Sequence, residues 1–118
     1  MLPFLALALL PAAAPPPASK QAAQRALLKD WTLARCIGRG FGPGSVRDDA
    51  YKSAAALLER GDYDVEVYNR LDGLIDPQLA KPYGGSVPSP YVTLKCLDLY
   101  HGAALDQAVN RARATPVR

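Results

Sequence analysis

The sequence predicts an all-α protein: a single small domain of about five helices with one disulfide. Three observations carry this prediction. Apolar residues return every three or four positions in successive stretches between Lys20 and Ala112, the period of helices with one buried face. No stretch alternates apolar and polar residues as a half-buried strand would. The two cysteines, Cys36 and Cys96, fall inside two of these helical stretches, one near each end of the domain.

Residues Met1 to Ala14 carry no charge and are rich in Leu and Ala, with an apolar run from Phe4 to Leu10. Ala12, Ala13 and Ala14 follow, then Pro15, Pro16, Pro17, Ala18 and Ser19. This is the layout of a secretory apolar region and its cleavage region. Residues 1–18 are therefore expected to be a signal peptide and 19–118 the helical domain. The alternative, a buried or membrane-spanning helix, fits less well, because the run is shorter than the ~20 residues a bilayer span needs and is bounded by Pro3 and Pro11. After leader cleavage no membrane contact is expected.

The first mature helix is expected from Ser19 or Lys20 to Ile37. Leu27, Leu28, Trp31, Ala34 and Ile37 form its apolar stripe, and Ser19 can cap its start. Gly38, Gly40, Gly42, Gly44 and Pro43 then read as a loop. Trp31 reads as a core anchor in preference to a ligand-stacking ring. The second helix follows Ser45, which forms a capping box with Asp48. Its apolar positions are Ala50, Tyr51, Ala54, Leu57 and Leu58, and Gly61 stops it. Ala54, Ala55 and Ala56 allow close approach of another helix, within the monomer or across a dimer.

Asp62 or Tyr63 begins the third helix, with Asp64, Val67, Tyr68, Leu71, Leu74 and Ile75 on one face and Glu66, Asn69 and Arg70 pointing elsewhere. Pro77 lacks a backbone donor, so a kinked continuation through Leu79 and Ala80 is expected there. Lys81 to Pro90, KPYGGSVPSP, is the least helical part of the mature chain. Ser89 and Pro90 read as the N-cap and first residue of the next helix, in which Leu94, Leu97 and Leu99 or Tyr100 mark the apolar positions. Gly102 breaks it. Leu105, Ala108, Val109 and Ala112 mark the last helix.

Two cysteines in an exported chain suggest one bond, pinning the C-terminal helix pair to the first helix; two free buried thiols are the alternative. The formal net charge of +3 is too small to argue for nucleic acid. Its distribution says more. Lys20, Arg25, Lys29, Arg35, Arg39 and Arg47 face the lone acid Asp30, whereas acids dominate from Asp48 to Asp76. Such segregation steers a charged partner or self-association, or else marks solvated helix faces.

Reactive chemistry finds little support. Cys96, Asp98 and His101 are close in sequence, but on a helix positions 96 and 98 diverge while 98 and 101 are neighbours. Asp98 could orient His101, yet Cys96 would face elsewhere, and oxidation would remove its nucleophilicity. His101 reads instead as a C-terminal helix residue facing backbone carbonyls. One His and two Cys at unrelated spacings are a poor zinc set. The alternating glycines lack the lysine of a phosphate loop. No catalytic, cofactor-binding or metal-binding residues are assigned.

Three motifs in order resemble a known family, the type VI secretion amidase immunity proteins of the fourth amidase class. They are LKDWTLARCI (Leu28–Ile37), DAYKSAAALLE (Asp49–Glu59) and, the most specific, LKCLDLYHGAALDQAV (Leu94–Val109). Together they span most of the mature chain. Gly102, where the family usually has a serine cap, and Pro77 depart from the pattern. The resemblance implies a periplasmic all-helical protein of a Gram-negative bacterium, usually a homodimer, that performs no chemistry. It implies that the protein occludes the groove of a papain-like amidase that cuts between D-glutamate and meso-diaminopimelate. On this chain the expected plug is Tyr83-Gly84-Gly85-Ser86, because glycines let backbone approach a narrow cleft and Tyr is a favoured interface residue. Pro82 and Pro88 would lower the ordering cost. Glu66, Asn69 and Arg70 are candidates for a supporting contact. A small exported structural or scaffold domain without an enzyme target is the alternative reading.

Overall fold

Helix α1 (Lys20–Gly40) is the axis of the molecule: each of the other helices packs against it. They are α2 (Ser45–Glu59), α3 (Val65–Asp72), α4 (Ile75–Leu79), α5 (Val92–Tyr100) and α6 (Ala103–Arg111). The computed structural model describes residues 3–4 and 19–113; among these there is no strand. The rest of the expected leader lies outside the described residues. The six helices are the five expected segments with the third divided in two.

Ser19 caps α1 as expected, its Oγ accepting from the Ala22 amide at 3.0 Å. Leu28, Trp31, Thr32 and Cys36 face inward, and the Thr32 hydroxyl donates to the Leu28 carbonyl at 2.9 Å, so no polar atom is stranded there. Around them Leu71, Ile75, Leu105 and Val109 are all but fully buried. Each such side chain contributes roughly 1.5–3 kcal/mol relative to exposure. Trp31 meets the edge of Tyr68 with ring centroids 5.0 Å apart, which confirms it as a core residue.

The helix does not end at Ile37. It runs on through Gly38 and Gly40, and the connecting loop is only residues 41–44. Both glycines are approach points. A Cβ on Gly38 would sit 2.6 Å from the Tyr51 ring, and one on Gly40 would collide with Val92. Absence of a side chain here admits neighbouring helices, which outweighs the usual helix-breaking cost.

Local starts and stops shift for similar reasons. Gly44, not Ser45, is the N-cap of α2, with φ 153° and ψ −172°, a region open essentially to glycine alone. Ser45 is already helical, and the expected Ser45–Asp48 capping box does not form. The third helix starts at Val65, with Asp64 as N-cap. It breaks at Gly73 and Leu74, and not at Asp76–Pro77. Pro77 has no amide to offer the Gly73 carbonyl and its ring would clash there, so the break falls one turn upstream and Pro77 lies in the first turn of α4.

Of the leucines expected on the inner face of α5 only Leu99 faces inward. Val92, Cys96 and Leu99 are buried, whereas Leu94 and Leu97 are 46% and 42% exposed. Its phase is set by the disulfide Cys36–Cys96, which joins α1 to α5 with Cα atoms 5.7 Å apart; no free cysteine remains. Ser89 is not its N-cap. Tyr91 is, in the left-handed region at φ 53°, while Ser89 Oγ accepts from the Tyr91 amide at 3.1 Å. Gly102 precedes α6 as its N-cap.

Some of the segregated charges meet each other. Arg35 and Arg39 of α1 bind the Asp72 carboxylate at 3.1 and 2.5 Å, and Arg39 also reaches Asp76 at 3.3 Å. Lys29 pairs with Asp106 at 3.0 Å. Burial alone would raise the Asp72 carboxyl, but hydrogen bonds from Arg39 and Arg35, and their charge, outweigh it and hold the group below the usual carboxylate range.

Candidate functional site

The segment between α4 and α5 carries the expected plug residues. Tyr83 lies half-buried against α4 and α5, while Gly84, Gly85 and Ser86 are exposed. The Tyr83 hydroxyl donates to Asp98 Oδ2 at 2.6 Å and accepts from Gln78 Nε2 at 3.1 Å. The Gln78 amide, buried at 7% exposure, also donates to the Lys95 carbonyl at 2.9 Å. Lys95 Nζ donates to the Leu79 carbonyl at 2.9 Å and stands 5.5 Å above the Tyr83 ring. The hydrogen bond to the Asp98 carboxylate is the main reason the Tyr83 hydroxyl titrates above the ordinary phenolic range.

At the far end of the segment the Tyr91 hydroxyl donates to the Val87 carbonyl. Gly85 passes so close to that hydroxyl that a Cβ there would collide with it, whereas a Cβ on Gly84 would meet nothing within 4 Å. Two tyrosines thus stand at the two ends of a short exposed tip. Beside Tyr91 a groove of about 370 Å³ is bordered by Phe41, Val92, Leu94 and Leu97, and Val87 is exposed next to it. The exposed leucines of α5 belong to this apolar shoulder.

Glu66, Asn69 and Arg70 are exposed on α3, which packs against α1, α4 and α6. They lie on a different element from the tip, which sits between α4 and α5. Arg70 borders a groove of about 280 Å³ with Val67, Leu74, Ala108 and Arg111. A larger groove of about 490 Å³ runs between α1 and α2, past Leu33, Ala34, Ile37, Val46 and Ala50.

Cys96 and His101 do not form the reactive pair that the sequence also argues against. Cys96 is fully buried and oxidised, so it offers no thiolate. Asp98 is engaged by Tyr83, and His101 is exposed with its ring edge on Tyr100, 5.1 Å between centroids. Among the described residues no three or more His, Cys, Asp or Glu converge as metal ligands, and no helix is long and apolar enough to cross a membrane.

Sequence reasoning placed Tyr83 and the glycines in one loop but missed Gln78, Lys95, Asp98 and Tyr91 as its supports. Asp98 and Tyr83 are fifteen positions apart, beyond any helical neighbour rule. Tyr91, directly after Ser89-Pro90, was the nearest to a legible signal.

The described residues thus form a disulfide-closed helical frame with an exposed glycine tip between two tyrosines whose hydroxyls are hydrogen-bonded. The chain belongs to the family of type VI secretion system amidase immunity proteins, Tai4, whose model matches residues 26–109. That family consists of immunity proteins and not of enzymes. A chain from the Tae4/Tai4 effector–immunity system of Salmonella typhimurium is 33% identical, with a TM-score of 0.74 over 78% of this chain and 91% of that one. One from the Tae4–Tai4 effector–immunity complex of Enterobacter cloacae is 28% identical, TM-score 0.67, covering 83% and 98%. One from the type VI-secreted toxins and self-resistance proteins of Serratia marcescens is 27% identical, TM-score 0.72, covering 90% and 89%. No curated protein matches the chain.

Proposed function

We propose that this protein binds a type VI secreted peptidoglycan amidase in the periplasm and blocks its active-site groove, protecting the cell that makes it. The amidase is of the class that cuts between D-glutamate and meso-diaminopimelate. The observation that carries this reading is the family match over the disulfide-closed helical body, which leaves Gly84, Gly85 and Ser86 exposed. Support comes from the Tae4–Tai4 complex of Enterobacter cloacae and from the complex of the Salmonella typhimurium effector Tae4 with the Enterobacter cloacae immunity protein Tai4. Blockade is steric: backbone without side chains enters a narrow cleft, and no bond in either protein changes. Export with removal of residues 1–18 brings the chain to the compartment where its cysteines oxidise. A homodimer, with Glu66, Asn69 and Arg70 adding contact from α3, completes the proposal.

The test is inhibition of the amidase encoded beside this gene, assayed by hydrolysis of a muropeptide. The wild-type protein should co-elute with the enzyme and abolish hydrolysis. Gly84→Trp keeps the fold, because the position opens onto solvent, and weakens inhibition at least about tenfold by obstructing entry. Absence of any complex with the neighbouring amidase would favour the scaffold alternative. Full inhibition by Gly84→Trp would remove this loop as the plug.

A further inference from the structure

We propose that Asp98, Gln78 and Tyr83 act as positioning residues that preset the 84–86 tip in its insertion geometry before any amidase is met. The inference rests on the reading of that loop as the plug.

A tip with two glycines has more backbone freedom than most sequences of its length, and ordering it at the moment of binding would lower affinity. The structure supplies a device against that loss. Tyr83 closes the near end: its hydroxyl is shared between a carboxylate on α5 and an amide on α4, so it is tied to two helices at once. The amide belongs to Gln78, a buried polar residue whose second bond goes to the Lys95 carbonyl. Lys95 spans the same gap by its bond to Leu79 and covers the Tyr83 ring. Tyr91 closes the far end, held in the left-handed region with its hydroxyl on Val87. A bulky residue keeps such a conformation only where its surroundings impose it. Asp98 is exposed, and neither it nor Tyr83 belongs to the hydrophobic core. The Tyr83–Asp98 bond therefore bears on the loop far more than on the fold, while Gln78 and Lys95 also hold α4 to α5.

The separating experiment uses the mature, oxidised full chain. Tyr83→Phe keeps the ring beneath Lys95 and deletes both hydroxyl bonds; Asp98→Asn keeps an acceptor and loses the charge. Backbone NMR order parameters at residues 84–86 should fall from about 0.8 to below about 0.6 in Tyr83→Phe, with a smaller fall in Asp98→Asn. Binding to the purified amidase should weaken about tenfold in Tyr83→Phe. That loss should appear in the association rate, because only the preset fraction can enter, while dissociation stays near the wild-type rate. Melting temperatures should stay close to wild type. Unchanged order parameters would overturn the inference. So would a loss confined to dissociation, which would make the Tyr83 hydroxyl a direct contact. If Gly84→Trp weakens inhibition while Tyr83→Phe does not, the plug stands and the clamp falls. If Gly84→Trp inhibits fully, the plug itself has failed, whatever the order parameters do.

Discussion

Breaking the Cys36–Cys96 bond is the perturbation whose size follows most directly from the structure. The bond closes a loop with a sequence separation of 60. On the chain-entropy model, closure of such a loop destabilises the unfolded state by about 4 kcal/mol. In a domain of about a hundred residues, each kcal/mol moves the melting temperature by about 4–8 °C. Reduction should therefore lower it by about 15–30 °C, and consume a large part of the ~5–15 kcal/mol that holds a typical domain folded. Both sulfurs are fully buried, so reductant added to the native protein acts only through opened chains. The comparison needs protein reduced while unfolded and then refolded in reductant, melted beside the oxidised sample and followed by circular dichroism. Cys36→Ala/Cys96→Ala should melt at or below the reduced wild type, since it also loses packing volume. Equal melting of oxidised and reduced protein would refute the reasoning, because packing of α1 on α5 would then hold without the bond.

Three further perturbations test other parts of the structure. Gly44→Ala should cost about 1–3 kcal/mol, read as a lower denaturation midpoint, because alanine cannot hold φ 153°. Gly38→Val should cost about 1–3 kcal/mol by pressing on the Tyr51 ring and separating α1 from α2. Asp72→Asn should cost about 1–3 kcal/mol by removing the shared carboxylate of Arg35 and Arg39. The same carboxylate sets an acid limit. Its folded-state pKa is depressed, so its contribution is present above the unfolded value of about 3.9 and is lost as pH falls through the lower folded value. Denaturation midpoints measured from pH 6 down to pH 2 should therefore fall less steeply in Asp72→Asn than in the wild type.

Which stretches were helical was legible, and so was the bond that joins them, because a stripe at helical spacing and a pair of cysteines are both written locally. Boundaries were less legible for one recurrent reason: glycine carries two meanings. At Gly44 and Gly102 it marks the start of a helix. At Gly38 and Gly40 it lies inside one, where Tyr51 and Val92 arrive from other elements. Only the tertiary neighbour separates the two cases. The phase of α5 shows the same limit. Leu94 and Leu97 have the hydropathy of core residues, but Cys96 must face Cys36, and that turns both leucines outward.

The outward turn of α5 has a consequence for binding. Because Cys96 is fixed against α1, Lys95 and Asp98 are carried to the side where Tyr83 descends. Leu94 and Leu97 are carried to the groove beside Tyr91. One buried bond therefore sets the phase of the helix that supports both ends of the loop. An inhibitor that works by shape needs its projecting backbone held by a rigid element, and here the disulfide anchors that element to α1. Asp98, which lay close enough to His101 in sequence to suggest catalysis, is better explained by this arrangement: its carboxylate fixes a tyrosine, and the tyrosine fixes the loop.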